Sequence, residues 1–183
     1  MTALTRRAAA AGLTLLAALP GRKLHAAAGL PDLSRWTPGA PKPLPDFKWT
    51  DAAGTERTAA DLRGQGIVIN FWATWCVPCV AEMPALDELA RQMAGDRVAV
   101  LALSSDRGGA AVVERFYKER GIRTLPVLLD PRGDAARAFG SRGIPTTVVV
   151  DRAGQERGRL EGAADWASAA SVAKLRQVFG PAV

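Results

Sequence analysis

Trp75-Cys76-Val77-Pro78-Cys79 holds both cysteines of the chain, three positions apart, at the junction of a strand pattern and a helix pattern. Upstream, Ile67-Val68-Ile69-Asn70-Phe71-Trp72 is apolar and β-branched, as a buried strand is. Downstream, Val80 to Ala94 carries Val80, Met83, Leu86, Leu89 and Met93 at helical spacing, with Glu82, Asp87, Glu88 and Arg91 between them. Strand, C-x-x-C and helix in that order put both sulfurs on the first helical turn, where they can close a disulfide and reopen it. Pro84 falls inside the helix and predicts a kink, because it cannot bond back to Val80.

A helix N-terminus supplies partial positive charge and unpaired N–H groups, and both favour a thiolate. The thiolate is the species that attacks a disulfide, and C-x-x-C cysteines at such termini have depressed pKa values. Cys76, nearer the helix start, is the candidate nucleophile and Cys79 the resolving thiol. Half of a zinc site is the first alternative, but zinc wants four ligands and the only histidine, His25, lies in a leader-like segment. Val80 follows Cys79, so the haem-attachment pattern C-x-x-C-H is absent. A static structural disulfide is the third alternative, although so short a loop removes little unfolded-state entropy.

The N-terminus reads as an export signal over residues 1–28. Arg6 and Arg7 form a basic start, Ala8 to Leu19 an Ala/Leu-rich stretch ending at Pro20, and Ala26-Ala27-Ala28 a small-residue cleavage site near Ala28. Twelve residues are few for a bilayer, so cleavage is expected rather than a retained anchor. Arg6-Arg7 leaves the general secretory and twin-arginine routes both open. The formal charge of +6, less Arg6, Arg7, Arg22 and Lys23 of the leader, leaves about +2 without a dense basic run, which argues against nucleic acid as a partner.

The rest of the chain suits one domain with a sizeable core. Residues 29–45 are Pro-rich and predict an extended arm, and 46–183 the folded domain. Phe47 to Thr58 predicts a hairpin turning at Ala52-Ala53-Gly54. Strands follow at 67–72, 97–103 and 127–129, and helices to Ala94, at 110–120 and at 134–139. Thr146–Val150 and Glu156–Leu160, joined by Asp151-Arg152-Ala153-Gly154, predict a terminal hairpin, and Asp165 to Phe179 a last amphipathic helix. The alternation implies an α/β fold, a central mixed β-sheet with helices on both faces.

Asn70-Phe71-Trp72-Ala73-Thr74-Trp75-Cys76-Val77-Pro78-Cys79-Val80-Ala81-Glu82-Met83-Pro84 resembles the active-site segment of TlpA-like thiol:disulfide oxidoreductases of the thioredoxin superfamily. The resemblance runs from about Pro45 to Trp166 and takes in Asp61-Leu62-Arg63-Gly64, Leu125-Pro126-Val127-Leu128-Leu129-Asp130 and Gly143-Ile144-Pro145-Thr146-Thr147. It implies a thioredoxin-like fold with an N-terminal β-hairpin and an extra βα unit between the C-x-x-C helix and the strand that follows Pro145. In this superfamily the proline facing the C-x-x-C is cis, and Pro145 matches it; an ordinary trans turn is the alternative. A cis X-Pro bond costs far less than other cis peptides, removes an N–H and holds the Ile144 backbone open to an incoming chain. Trp75, Pro78, Ile144 and Thr146 are then the expected partner-binding residues.

Common thioredoxins carry an Asp six residues before the nucleophile, where this chain has Asn70, which neither accepts nor delivers a proton. TlpA-like proteins often carry a Glu three residues after the resolving cysteine, and Glu82 matches. From Cys79 to Glu82 is one helical turn, so a desolvated Glu82 would exchange protons with Cys79; a solvated surface Glu is the alternative. The resemblance thus implies an exported, periplasmic reductase of protein disulfides with Cys76, Cys79, Glu82 and Pro145 in catalytic roles. No cofactor or metal beyond the redox disulfide is implied. The partners would be disulfide-bearing proteins, such as apocytochrome c or an oxidase copper site, and a membrane electron donor of the DsbD/CcdA type. A disulfide-forming oxidase or isomerase, a thiol peroxidase and a copper-binding accessory protein are the rival readings.

Overall fold

The computed structural model describes residues 29–181; the leader-like segment, with His25, lies outside the described residues. Eight strands form one sheet: β1 (Lys42–Pro43), β2 (Lys48–Asp51), β3 (Glu56–Thr58), β4 (Gly66–Trp72), β5 (Val98–Ser104), β6 (Leu128–Leu129), β7 (Thr146–Val150) and β8 (Gln155–Glu161). Their spatial order is β1-β8-β7-β4-β5-β6-β2-β3, with β4–β5 and β5–β6 parallel and the remaining pairs antiparallel. Four helices complete the fold: α1 (Val77–Gln92), α2 (Ala110–Arg120), α3 (Asp134–Ala138) and α4 (Ala169–Phe179). This is the thioredoxin-like arrangement, and two βα units, β5-α2 and β6-α3, separate α1 from β7.

β4 is buried along its whole length, so its apolar run divides two cores by the strand period of two. Val68 and Trp72 face Met83, Leu86 and Leu89 of α1, Phe116 of α2 and Leu175 of α4. Ile67, Ile69 and Phe71 face the other way, toward Phe47, Trp49, Ala135 and Phe139. Asn70 shares the first of these faces and is the polar residue in an otherwise apolar strand.

Residues 29–45 are bound more closely than an extended arm implies. Leu33 is fully buried, its N–H donates to Ser171 Oγ (3.1 Å), and the Asp165 N–H donates to the Pro31 carbonyl (2.9 Å). Trp36 lies so close over Gly158 of β8 that a Cβ there would stand 2.8 Å from the indole. Lys42 and Pro43 then pair with Glu156 and Gln155 as an edge strand, a position that suits proline because one side needs no ladder bond. The last helix also differs from the sequence reading, beginning at Ala169 and not Asp165. Ser168 is its N-cap, accepting from Ser171 N–H, and residues 164–167 are a loop with contacts of their own. α1 runs on through Pro84 to Gln92.

Leu33 reports on whether the arm belongs to the folding unit. Leu33→Ala should cost about 2–5 kcal/mol through the cavity left under α4. A chemical denaturation midpoint unchanged from wild type would show the arm docks without supporting the fold.

Candidate active site

β4 ends at Trp72, and Ala73–Trp75 carry the chain over the end of the sheet into α1, with Cys76 as N-cap. Asp106, two residues past β5, holds this turn. Its carboxylate accepts from Thr74 N–H (2.9 Å), Thr74 Oγ1 (2.7 Å) and Ser104 Oγ (2.7 Å), and it is 4% exposed. Sequence reasoning missed Asp106; an acid just beyond the strand beside the cysteine strand is the only hint the chain offers.

Cys76 and Cys79 are joined as a disulfide, the oxidised form of the site. Pro78 in the first turn starts the helix at no cost in hydrogen bonds, since N–H groups there lack intrahelical partners. The Cys79 N–H points at Cys76 Sγ (3.3 Å), so the helix terminus aims a donor at the sulfur that would carry charge. Cys79 is fully buried and Cys76 is 6% exposed, which leaves Cys76 as the sulfur an incoming group can meet.

The Ile144–Pro145 peptide is cis, and the Ile144 carbonyl oxygen stands 3.7 Å from Cys76 Sγ. Trp75 (69% exposed) and Val77 (81%) are the large exposed apolar side chains among the described residues, and with Pro78 they form an apolar rim beside Cys76. Thr146, expected on the partner-binding surface, is buried instead. Its hydroxyl donates to the Gly143 carbonyl (2.6 Å) and its backbone lies between β4 and β8, so it braces the turn that presents Ile144.

Glu82 is fully buried beneath the disulfide, one turn after Cys79, which excludes a solvated surface residue. Its Oε2 accepts from Trp166 Nε1 (2.7 Å) and Ala164 N–H (3.0 Å), and its Oε1 from Asn70 Nδ2 (2.9 Å). Burial pushes its pKa above the ordinary carboxylate value, and the three donors pull partly back. Trp166 and Ala164 lie more than 80 positions away in sequence, and no local pattern announces them. Asn70, inert by sequence reasoning, is in direct contact with the carboxylate. Met83 and Met93 are core residues, and the described residues contain no cluster suited to a metal.

Residues 40–157 match the AhpC/TSA family. The chain belongs to that family. It is 35% identical over 118 residues, 64% of this chain and 67% of the relative, to the thiol-disulfide oxidoreductase ResA of Geobacillus kaustophilus. The thioredoxin-like protein YneN of Bacillus subtilis is 34% identical over 60% of this chain and 64% of its own. Among solved structures, a thiol:disulfide interchange protein of the thioredoxin family from Chlorobium tepidum superposes with a TM-score of 0.63 at 27% identity, covering 78% of this chain and 99% of that one. The exposed lipoprotein thioredoxin of Streptococcus pneumoniae does so at 0.60 and 29%, over 72% and 98%. With its C-x-x-C pair, the protein is a thiol:disulfide oxidoreductase of the thioredoxin superfamily, of the ResA and DsbE type.

The raised Glu82 pKa has a definite sign in stability. The folded state holds the proton more tightly than the unfolded chain, so its contribution is complete below the ordinary value of 4.5 and is lost as pH rises through the higher folded value. Glu82→Gln cannot ionise, so wild-type stability relative to that variant should fall from acid to neutral pH. Urea denaturation of the oxidised forms across that range measures this, and a pH-independent difference would contradict it.

Proposed function

We propose that this protein is an exported reductase of protein disulfides, in which Cys76 attacks and Cys79 resolves. The observation that carries the direction is the buried Glu82 carboxyl under Cys79, with an apolar rim and no basic side chain bonded to either sulfur among the described residues. A carboxylate near a thiolate disfavours that thiolate, and it is stabilised thiolate that makes a strong oxidant. Only the helix terminus favours charge on Cys76 here, so the dithiol form is a willing electron donor.

In the forward reaction the Cys76 thiolate attacks one sulfur of the substrate disulfide. The second substrate sulfur leaves as a thiolate and takes a proton from solvent. Cys79 then gives its proton to the Glu82 carboxylate and attacks Cys76 Sγ, and the first substrate sulfur leaves as a thiolate that is protonated in turn. The substrate gains two electrons and two protons, and the protein is left in the disulfide form seen here. During the mixed disulfide the partner's backbone would lie along Ile144, held open by the cis bond, with Trp75 and Pro78 against its side chains.

Residues 1–28 would direct export to the periplasm and be removed near Ala28. Re-reduction there would fall to a membrane donor of the DsbD/CcdA type. Apocytochrome c thiols before haem attachment, or the copper-site thiols of an oxidase, are the substrates this reading favours. No helix among the described residues is long and apolar enough to cross a membrane.

Cys76→Ser should abolish reduction of a model protein disulfide, whereas Cys79→Ser should accumulate a mixed disulfide visible on a non-reducing gel. Preferential alkylation of Cys79 in the reduced protein at neutral pH would reverse the assignment. Equilibration with dithiothreitol buffers should return a potential nearer thioredoxin's, about −270 mV, than that of strong oxidants such as DsbA, about −120 mV. A value at the oxidising end would make it a disulfide-forming enzyme.

Protein recovered from the periplasm should begin near Gly29. N-terminal sequencing that finds Met1 on membrane-bound material would replace cleavage with anchoring.

A further inference from the structure

Asn70 is fully buried between β7 and α1. Its amide nitrogen donates to Glu82 Oε1 (2.9 Å) and to Thr147 Oγ1 (2.9 Å), while its equally buried Oδ1 has no hydrogen-bond partner. The two ends of an amide are close to isosteric, and which end points where is decided by what the neighbours can donate or accept.

The partners of the Glu82 carboxyl are not equivalent in this respect. Oε2 faces the Ala164 N–H and the Trp166 indole N–H, which can only donate, so Oε2 cannot carry a proton and still accept from both. Oε1 faces Asn70 alone. If Glu82 takes a proton, Oε1 is where it must sit, and that proton needs an acceptor where an amide N–H₂ now stands.

We propose that Asn70 is a positioning residue that works in both directions, turning its amide over as Glu82 gains and loses a proton. With Glu82 ionised, Nδ2 donates to Oε1 and to Thr147 Oγ1. With Glu82 protonated, Oδ1 occupies that place and accepts from Oε1–H and from the Thr147 hydroxyl, which serves equally as donor or acceptor. The atom left on the far side is unpaired in either setting, Oδ1 in one and Nδ2 in the other. Neither orientation is satisfied on that side, and the Glu82 proton tips the balance between them. The orphaned Oδ1 means that no donor on that side holds the amide in one orientation.

The remaining surroundings of Glu82 do not compete for this role. Cys79 precedes it by one turn on α1, β4 and β7 present Asn70 and Thr147, and the 164–167 loop presents the two fixed donors; none carries a formal charge in the oxidised protein. An Asp at position 70 would offer acceptors only to an ionised Glu82 and would force two carboxylates to share one proton. Asn allows Glu82 to ionise and still be bonded in both states.

This inference rests on Glu82 being the proton acceptor for Cys79, and one titration separates the two ideas. In the oxidised full-length protein, the Glu82 carboxyl carbon and the Asn70 Nδ2 protons are followed by NMR from pH 4 to 10. The carbon should titrate. Contacts of the Nδ2 protons with the Glu82 and Thr147 side chains should be strong on the alkaline side and lost on the acid side, with the same midpoint. In Glu82→Gln, whose amide can donate to Asn70 Oδ1, those contacts should stay at their acid-side level at every pH. Glu82 titrating while the Asn70 contacts persist unchanged would overturn the two-way role and leave Glu82 in place. A Glu82 carbon that does not titrate would overturn both. Asn70→Asp should raise the Glu82 midpoint by about one pH unit or more, because a charged neighbour replaces a donor; an unmoved midpoint in a folded variant would also count against the contact. The wild-type measurement decides alone if that variant does not fold.

Discussion

Antiparallel pairing of β4 with β7 is the constraint on which this site depends. Its register sets Ile67 against Val150, Asn70 against Thr147 and Phe71 against Thr146. The first consequence is at the strand ends: β4 delivers the chain to Cys76 just where β7 begins, so the cis peptide before Thr146 meets the sulfur. The second is inside the sheet, where Asn70 and Thr147 fall side by side on the face covered by α1. A one-residue slip of β7 would turn Thr147 to the opposite core, away from Asn70, and draw Ile144 away from Cys76. Apolar residues on both faces of β4 make that slip costly, so the chemistry is held by the same burial that holds the fold.

Most of the buried polar side chains among the described residues gather at the active site, and they are individually braced. Asp106 ties the turn before Cys76, Thr146 ties the turn before β7, and Glu82 is held by three N–H donors from two separate segments, β4 and the 164–167 loop. Each is nearly or wholly buried, so removing a partner leaves an unpaired group in a medium where that is costly. The two halves of the site, the cysteine turn and the cis-proline turn, are thus fixed independently of any partner. An oxidoreductase that must align two sulfur atoms in line with a third gains from such preorganisation.

Legibility from sequence varied with the range of the interaction. α2 and β7 lie where periodicity places them, and the C-x-x-C reads as a redox pair, because all of these are set by neighbours within a turn or a strand. The docking of segment 29–45 leaves no such local signal, since Leu33 and Trp36 are isolated apolar residues in a Pro-rich run and show no period. What they pack against, Ser171 and Gly158, lies over a hundred residues away. The start of α4 departs from its sequence pattern for a related reason: Ala164 and Trp166 bond Glu82, and that use overrides a helix pattern.

The chain by itself determined that two cysteines share a first helical turn, that one of them leads, and that a carboxyl lies one turn behind them. These follow from spacing, helix geometry and the absence of other ligands. Tertiary structure alone decided the state of that carboxyl and the company it keeps. Glu82 would be an ordinary acid on an isolated helix; it is desolvated because β4, α1 and the 164–167 loop close around it. Asn70 is a poor residue for a buried strand by local propensity, and its use appears only when Thr147 and Glu82 come to either side. Desolvation and hydrogen-bond partnership are properties of an enclosed volume, and no volume is enclosed until distant segments meet.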